Sequence, residues 1–287
     1  LYILLWAMLR LLGSASFVYT PQDVLPNSLR PYHIRAFRFL YARMRHVFLN
    51  AKQNEPLVVE HFAVPRDRIT VLPIADLTAF VREHVAGEPP DIPAASRVVL
   101  CFGLIEPRKG IHTLLSAAPE VLRQVPDALL LIVGKPLMDI APLQRQLTDL
   151  GLQERVRLVP QYVSFAQMAG YFTAARLLVL PYENGWNSGV LASAFGFGKP
   201  VIATRVGGFD EVVSDESTGL LVPPKDPAVL AQAIVRLLRD DVLYARMVTN
   251  VRQAAAEISW EAIARITAAR YADVVGIGAD CAVSQAR

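Results

Sequence analysis

Apolar residues in the later two thirds of the chain fall into two alternating kinds of run. Val98–Phe102, Ala128–Val133, Arg155–Val159, Leu177–Leu180 and Val201–Thr204 are short and mostly apolar. Between them, Ile111–Val125, Leu143–Leu150, Phe165–Ala174 and Gly189–Phe197 repeat apolar positions at helical spacing. Apolar strands separated by helices predict a parallel sheet covered on both faces, with the helices as crossovers. The expected fold is α/β, a Rossmann-like doubly wound domain whose ligand lies beyond the carboxyl ends of the strands. Gly219–Pro223 and the helical stretches Pro227–Leu238, Val242–Glu257 and Trp260–Val275 follow.

The earlier third shows the same grammar in a shorter copy. It predicts helices over Leu1–Leu12, Tyr32–Arg45 and Asn54–His61, and strands over Ala15–Tyr19, Val47–Leu49 and Ile69–Leu72. A complete half of this type needs more strands before Leu1. The opening apolar run contains Arg10, stops at Gly13 and falls short of the ~20 residues of a spanning helix. With no initiating Met, the chain reads as truncated at its N-terminus. His84–Ser96, holding Gly87, Pro89, Pro90 and Pro93, reads as a linker. The expected organisation is a partial N-terminal domain over 1–85, a main domain over 97–258 and a C-terminal helix over 259–287.

Composition narrows the classes. Of 287 residues, 53% are hydrophobic and 19% charged, so the chain can bury a core and is not disordered. A net charge of +3 is too mild for a dedicated nucleic-acid binder. Two cysteines far apart in sequence make neither a disulfide framework nor a Cys-rich zinc site, and they suit a reducing, cytoplasmic setting. The five histidines lack metal-ligand spacing, so no metal site is expected. No G-x-G-x-x-G opens a helix after a strand. Gly196-Phe197-Gly198-Lys199-Pro200 resembles a P-loop only superficially, because Ser193 stands where its first glycine belongs and Pro200 where a hydroxyl would hold magnesium.

Three strand-to-helix segments carry candidate chemistry. In Phe102-Gly103-Leu104-Ile105-Glu106-Pro107-Arg108-Lys109-Gly110, Gly103 permits a tight turn and Arg108 and Lys109 bring positive charge to a strand's carboxyl end. Either a phosphate site or a turn with two solvated bases fits. In Leu180-Pro181-Tyr182-Glu183-Asn184-Gly185-Trp186-Asn187-Ser188-Gly189-Val190-Leu191, small residues fall where a helix begins, which suits a phosphate or a plain N-cap. The third runs from Lys199-Pro200-Val201-Ile202-Ala203-Thr204-Arg205-Val206-Gly207-Gly208 through Glu211-Val212-Val213 to Thr218-Gly219-Leu220-Leu221-Val222-Pro223.

In this order and spacing the segments resemble the donor half of GT-B glycosyltransferases, most closely glycosyltransferase family four. The match covers nearly all of Val98–Pro224. Ser259-Trp260 with Tyr271 resembles the family's final helix, which returns to the N-terminal domain. Val18–Asn27 and Ile69-Thr70-Val71-Leu72-Pro73 resemble N-terminal segments. The resemblance implies two Rossmann-like domains, the N-terminal one incomplete here. It also implies retaining, metal-independent transfer of a sugar from a nucleotide diphosphate sugar, which is a substrate, so no cofactor is implied.

The implied donor-binding residues are Gly103, Arg108, Lys109, Gly134, Tyr162, Asn187, Ser188, Gly189 and Val190. Glu183 matches the glutamate that contacts the donor sugar and is the implied catalytic residue. Leu104 stands where members often carry Arg, and Ser193 where the second acid of a pair belongs. Glu183 precedes Ser193 by ten residues rather than the family's eight. Gln22 and Ile74 stand in place of N-terminal histidines, while Asp23 keeps its acid. These departures keep two other readings open: a catalytically silent nucleotide-sugar-binding or regulatory subunit, and a 2-epimerase-like enzyme.

One further feature concerns partners. Ile34, Phe37, Tyr41 and Met44 would share one face of a helix over 32–46, flanked by Arg38 and Arg45, with Arg35 and Arg43 towards the far side. Such a helix can either pack on its sheet or lie on an anionic membrane. The second option fits a peripheral protein at the inner membrane face using a lipid-linked acceptor in polysaccharide or glycolipid synthesis.

Overall fold

The computed structural model describes residues 16–21, 24, 31–75, 78, 91–93, 95–185 and 188–276. The chain divides into two compact units. The first comprises the described residues of Leu1–Pro73 and Glu261–Arg287, and the second those of Ile74–Trp260. The division therefore falls after Pro73, ahead of the Pro-rich 84–96 stretch. The reason is packing: Ile74 and Ile92 both lie against the core of the second unit.

The second unit contains a parallel sheet of β4 (Arg97–Phe102), β5 (Ala128–Val133), β6 (Val156–Val159), β7 (Leu177–Leu180), β8 (Val201–Thr204) and β9 (Gly219–Val222). Its strands lie in the order β6-β5-β4-β7-β8-β9. Counted within the unit this is the 3-2-1-4-5-6 order of a doubly wound dinucleotide-type fold, with the switch point between β4 and β7. Alternate residues of each strand enter different cores. Val99, Cys101, Leu130, Ile132, Leu177 and Val179 join α3 (Ile111–Gln124) and α8 (Pro227–Arg239) on one face. Val98, Leu100, Leu129, Leu131, Leu178 and Leu180 meet α5 (Phe165–Ala174) and α6 (Gly189–Gly196) on the other. The period-two strand geometry and two covered faces explain why these segments are apolar throughout. The remaining helices are α4 (Ala141–Asp149), the short α7 (Phe209–Val212) and α9 (Asp241–Glu257).

The first unit contains three parallel strands, β1 (Phe17–Tyr19), β2 (Met44–Leu49) and β3 (Ile69–Val71), in that spatial order. Its helices are α1 (Pro31–Tyr41), α2 (Asn54–Phe62) and most of α10 (Trp260–Val275). Phe37, Tyr41 and Phe62 form a stacked aromatic core, Tyr41 lying parallel to Phe62 at 4.7 Å between ring centroids.

The helix expected over Tyr32–Arg45 is shorter than its pattern suggests. It ends at Tyr41 and turns through Ala42 and Arg43, and Met44 and Arg45 already belong to β2. Met44 is buried as a strand residue, so the proposed four-residue helix face does not form. Phe37 and Tyr41 point into the core, and only Ile34 of the four is exposed. The helix expected over Leu1–Leu12 lies outside the described residues, as do Gln22 and Asp23.

Candidate donor site

The two loops at the switch point are locked to each other. After β4 the chain turns at Gly103, makes a 3-10 turn over Pro107–Lys109 and enters α3 through Gly110. Gly110 has φ +62°, and a Cβ there would stand 1.9 Å from the Pro181 carbonyl oxygen in the loop after β7. Glu183 N–H donates to the Arg108 carbonyl at 2.8 Å. Glycine is thus required at 110 both by a left-handed backbone and by close approach of a second backbone.

This contact places Lys109 where the two loops meet. Lys109 is 7% exposed, and its ammonium donates to the Tyr182 hydroxyl. Its Nζ also lies 3.8 Å from the centre of the Tyr182 ring. Tyr182 itself is 1% exposed and packs on Phe209 at 5.1 Å. The Tyr182 hydroxyl lies 3.2 Å from Ser188 Oγ at the start of α6. Thr204, at the end of β8, donates to the Tyr182 carbonyl at 2.6 Å, tying the third motif segment to the same residue. Burial holds the Lys109 pKa down at about 8, and the neighbouring Arg108 charge adds to the effect. Burial raises the Tyr182 phenol and pushes the Cys101 thiol beneath the site up to about 12. The phenol and thiol therefore stay protonated, and of these three groups Lys109 is the one whose charge can change nearest neutrality.

The other candidate residues take distinct places. Gly103 has φ +111°, and a Cβ there would lie 3.2 Å from Val190 Cγ2 and 3.8 Å from Lys109 Nζ. Gly103, Lys109 and Val190 are thereby brought together. Gly134 follows β5 beside Gly103, where a Cβ would collide with the Gly103 carbonyl at 1.8 Å. Ser188 makes no side-chain cap to α6, and Gly189 faces open space. Leu191 and Ala192 N–H donate to the Ser188 carbonyl, while the Gly189 and Val190 N–H groups have no partner among the described residues and suit an anion. Arg108 pairs with Glu106 at 2.6 Å. Tyr162, beyond the end of β6, is 75% exposed. Asn187 lies outside the described residues.

Glu183 is fixed between two bases, 3.1 Å from His112 Nε2 at the start of α3 and 3.0 Å from Lys225 Nζ after β9. Ser193, where the family's second acid belongs, is fully buried and donates to the Gly189 carbonyl at 2.7 Å. Its hydroxyl is absorbed by the helix backbone. Lys199 of the P-loop look-alike donates to the Thr173 carbonyl at 3.0 Å. Tyr182, Thr204, His112 and Lys225 escaped sequence reasoning. Tyr182 carried a signal, since it follows a buried strand and begins the loop that ends at Ser188. Nothing local in sequence marks Lys225 as a neighbour of Glu183.

A six-stranded doubly wound parallel sheet, with basic and small residues meeting at its switch point, is the α/β architecture of the GT-B type. The family model described as Glycosyl transferases group 1 matches residues 96–240. The chain belongs to that family. It is 32% identical over 238 residues to a D-inositol 3-phosphate glycosyltransferase 2 of Catenulispora acidiphila, covering 77% of this chain and 54% of the relative. It is 38% identical over 174 residues to a phosphatidyl-myo-inositol mannosyltransferase of Mycobacterium leprae, covering 60% and 45%. The chain spans about half the length of the curated relatives it matches. Among solved structures, sucrose-phosphate synthase of Thermosynechococcus elongatus aligns with a TM-score of 0.74 at 25% identity, covering 96% of this chain and 72% of that one. Anabaena Alr3699/HepE in complex with UDP aligns with a TM-score of 0.79 at 21% identity, covering 94% and 76%.

Proposed function

We propose that this chain carries the donor-binding half of a glycosyltransferase that moves a sugar from a nucleotide diphosphate sugar to an acceptor. The carrying observation is the junction of the loops after β4 and β7, where buried Lys109 meets the start of α6 within a matched family domain. An ammonium and free helix amides can stabilise the charge that grows on a departing diphosphate. Lys109 and the Ser188-Gly189-Val190 turn hold the diphosphate, Gly103 lets it approach the strand end, and Gly134 and Tyr162 border the nucleobase. Glu183, oriented by His112 and Lys225, contacts the sugar. The reaction retains anomeric configuration and needs no metal, since these groups supply the positive charge.

Ser193 in place of an acid favours a second reading, a silent nucleotide-sugar-binding subunit. Turnover of a labelled nucleotide sugar with a panel of acceptors decides between them. A glycosylated product with retained configuration and no loss to chelator supports the transferase. An epimerised donor, or binding without turnover, overturns it.

The acceptor we propose is lipid-linked, met at the inner face of a membrane during polysaccharide or glycolipid synthesis. No helix among the described residues is long and apolar enough to cross a membrane. Support comes from Arg35, Arg38, Arg43 and Arg45, all exposed on and just after α1. Because Phe37 and Tyr41 are committed to the core, the contact would be electrostatic. Flotation with anionic liposomes should be lost in an Arg35/Arg38/Arg45→Ala variant and in high salt.

A further inference from the structure

Lys109, Tyr182 and Ser188 form a chain of polar groups that leads from the interior to the start of α6. Its direction follows from chemistry. A lysine ammonium only donates, so the Tyr182 oxygen accepts from it. The phenol hydrogen then needs an acceptor, because a buried hydroxyl hydrogen left unpaired is costly. Ser188 Oγ, 3.2 Å away, is the acceptor in reach. Accepting from Tyr182 leaves the Ser188 hydroxyl hydrogen available at the helix start, beside the Gly189 and Val190 amides, which have no partner among the described residues.

Two features support this assignment. At three other helix starts in the unit the side chain caps its own helix: Ser164 accepts from Gln167 N–H, Asp226 from Ala228 and Val229, and Asp240 from Leu243. Ser188 instead bonds Tyr182 and caps nothing. The relay is also held in place from behind, through Thr204 on the Tyr182 carbonyl and Phe209 on its ring.

We propose that Tyr182 is a positioning residue for donor binding: it accepts a hydrogen bond from Lys109 and donates one to Ser188, so that Ser188 presents a hydroxyl donor to the donor's diphosphate. Tyr182 itself does not touch the ligand. This rests on the donor-site reading above and adds a residue that acts through two others.

The test is a double-mutant cycle on the 287-residue chain with Tyr182→Phe, Ser188→Ala and both, probed with UDP and GDP and with uridine and guanosine. Tyr182→Phe keeps the ring that packs on Phe209, and an unchanged thermal midpoint checks that the fold persists. Each single substitution should weaken the diphosphate about tenfold and leave the nucleoside unchanged, and the double should be no weaker than either single. Additive losses, an unaffected diphosphate in Tyr182→Phe, or equal loss of diphosphate and nucleoside overturn the relay. A second readout needs no ligand. Lys109 titration, followed by NMR of labelled lysine, should move to lower pH in Tyr182→Phe because the ammonium loses an acceptor. If the unaltered chain binds no nucleoside diphosphate, the donor-site reading fails. The titration then judges the hydrogen-bonded chain alone, and an unmoved Lys109 overturns it.

Discussion

Among the described residues each unit buries one basic side chain, and the two stand in different surroundings. Lys109 lies past the carboxyl end of β4, bonded to Tyr182 and reaching towards the start of α6. His46 lies within β2, its Nε2 2.8 Å from Thr70 Oγ1 and its ring edge-on to Phe48 at 5.0 Å. Burial lowers the pKa of both, reinforced by Arg108 at Lys109 and by Arg270 at His46. Asp67 and Asp273 oppose the shift at His46. His46 is paired across strands, inside a sheet, where its bond replaces one it would make with water. Lys109 is paired through a chain that ends at the start of α6, beyond the carboxyl ends of the strands. Burial of a base therefore does not mark a site. Its place relative to the strand ends, and where its hydrogen bonds lead, separate the base proposed to hold a ligand from the structural one.

The comparison breaks most completely at Gly110. Gly110→Ala forces a left-handed alanine and a collision with Pro181 O, so the two loops must part. The expected cost is about 3 kcal/mol of stability or more, seen as a lowered denaturant midpoint with a parallel loss of diphosphate binding.

Next in size is the base itself. Lys109→Ala should remove about 1.5–3 kcal/mol of diphosphate binding, roughly ten- to a hundredfold, while the bare nucleoside keeps its affinity. Calorimetric titration of both ligands at fixed salt reads this, and equal losses would assign Lys109 to the fold. Acidity sharpens the point. Diphosphate affinity should fall as pH rises through about 8, where Lys109 loses its charge. The ligand-free protein behaves in the opposite way. Between about 8 and the ordinary lysine range the unfolded chain binds the extra proton, so this group makes folding more favourable as pH rises. Subtracting the pH profile of Lys109→Met from that of the unaltered chain isolates both trends.

Glu183→Gln comes third. It should lower kcat about tenfold and change nucleotide Kd by less than about threefold, provided the carboxylate contacts the sugar and not the phosphates. Unchanged turnover would leave Glu183 as a link between His112 and Lys225 only.

The smallest effect belongs to His46. Its pKa is held below 6.5, so the unfolded chain takes up its proton first as pH falls. Stability from this group is complete above about 6.5 and declines below it. His46→Gln should flatten that acid-side decline, read from denaturant midpoints across pH, and leave nucleotide binding alone.

Hydrophobic pattern by itself determined five strands of the six-stranded parallel sheet, all but β9, and most of its helices. A strand buried on both faces must be apolar throughout, and a crossover helix must repeat its apolar stripe. The same logic failed over 32–46, where helix α1 runs directly into strand β2. Both segments are apolar there, and the period did not register the turn at Ala42 and Arg43. Motif order likewise pointed to Lys109 and to the Ser188 turn, because phosphate sites at strand-to-helix joints need small residues and positive charge close in sequence. Only the folded chain decided what surrounds them. Tyr182 is 73 residues from the Lys109 ammonium it accepts from, and Lys225 reaches Glu183 from beyond β9. Such partners are set by strand order. The sequence lists strands one after another, whereas the sheet interposes β4 between β5 and β7, and that exchange of neighbours brings the loops after β4 and β7 together.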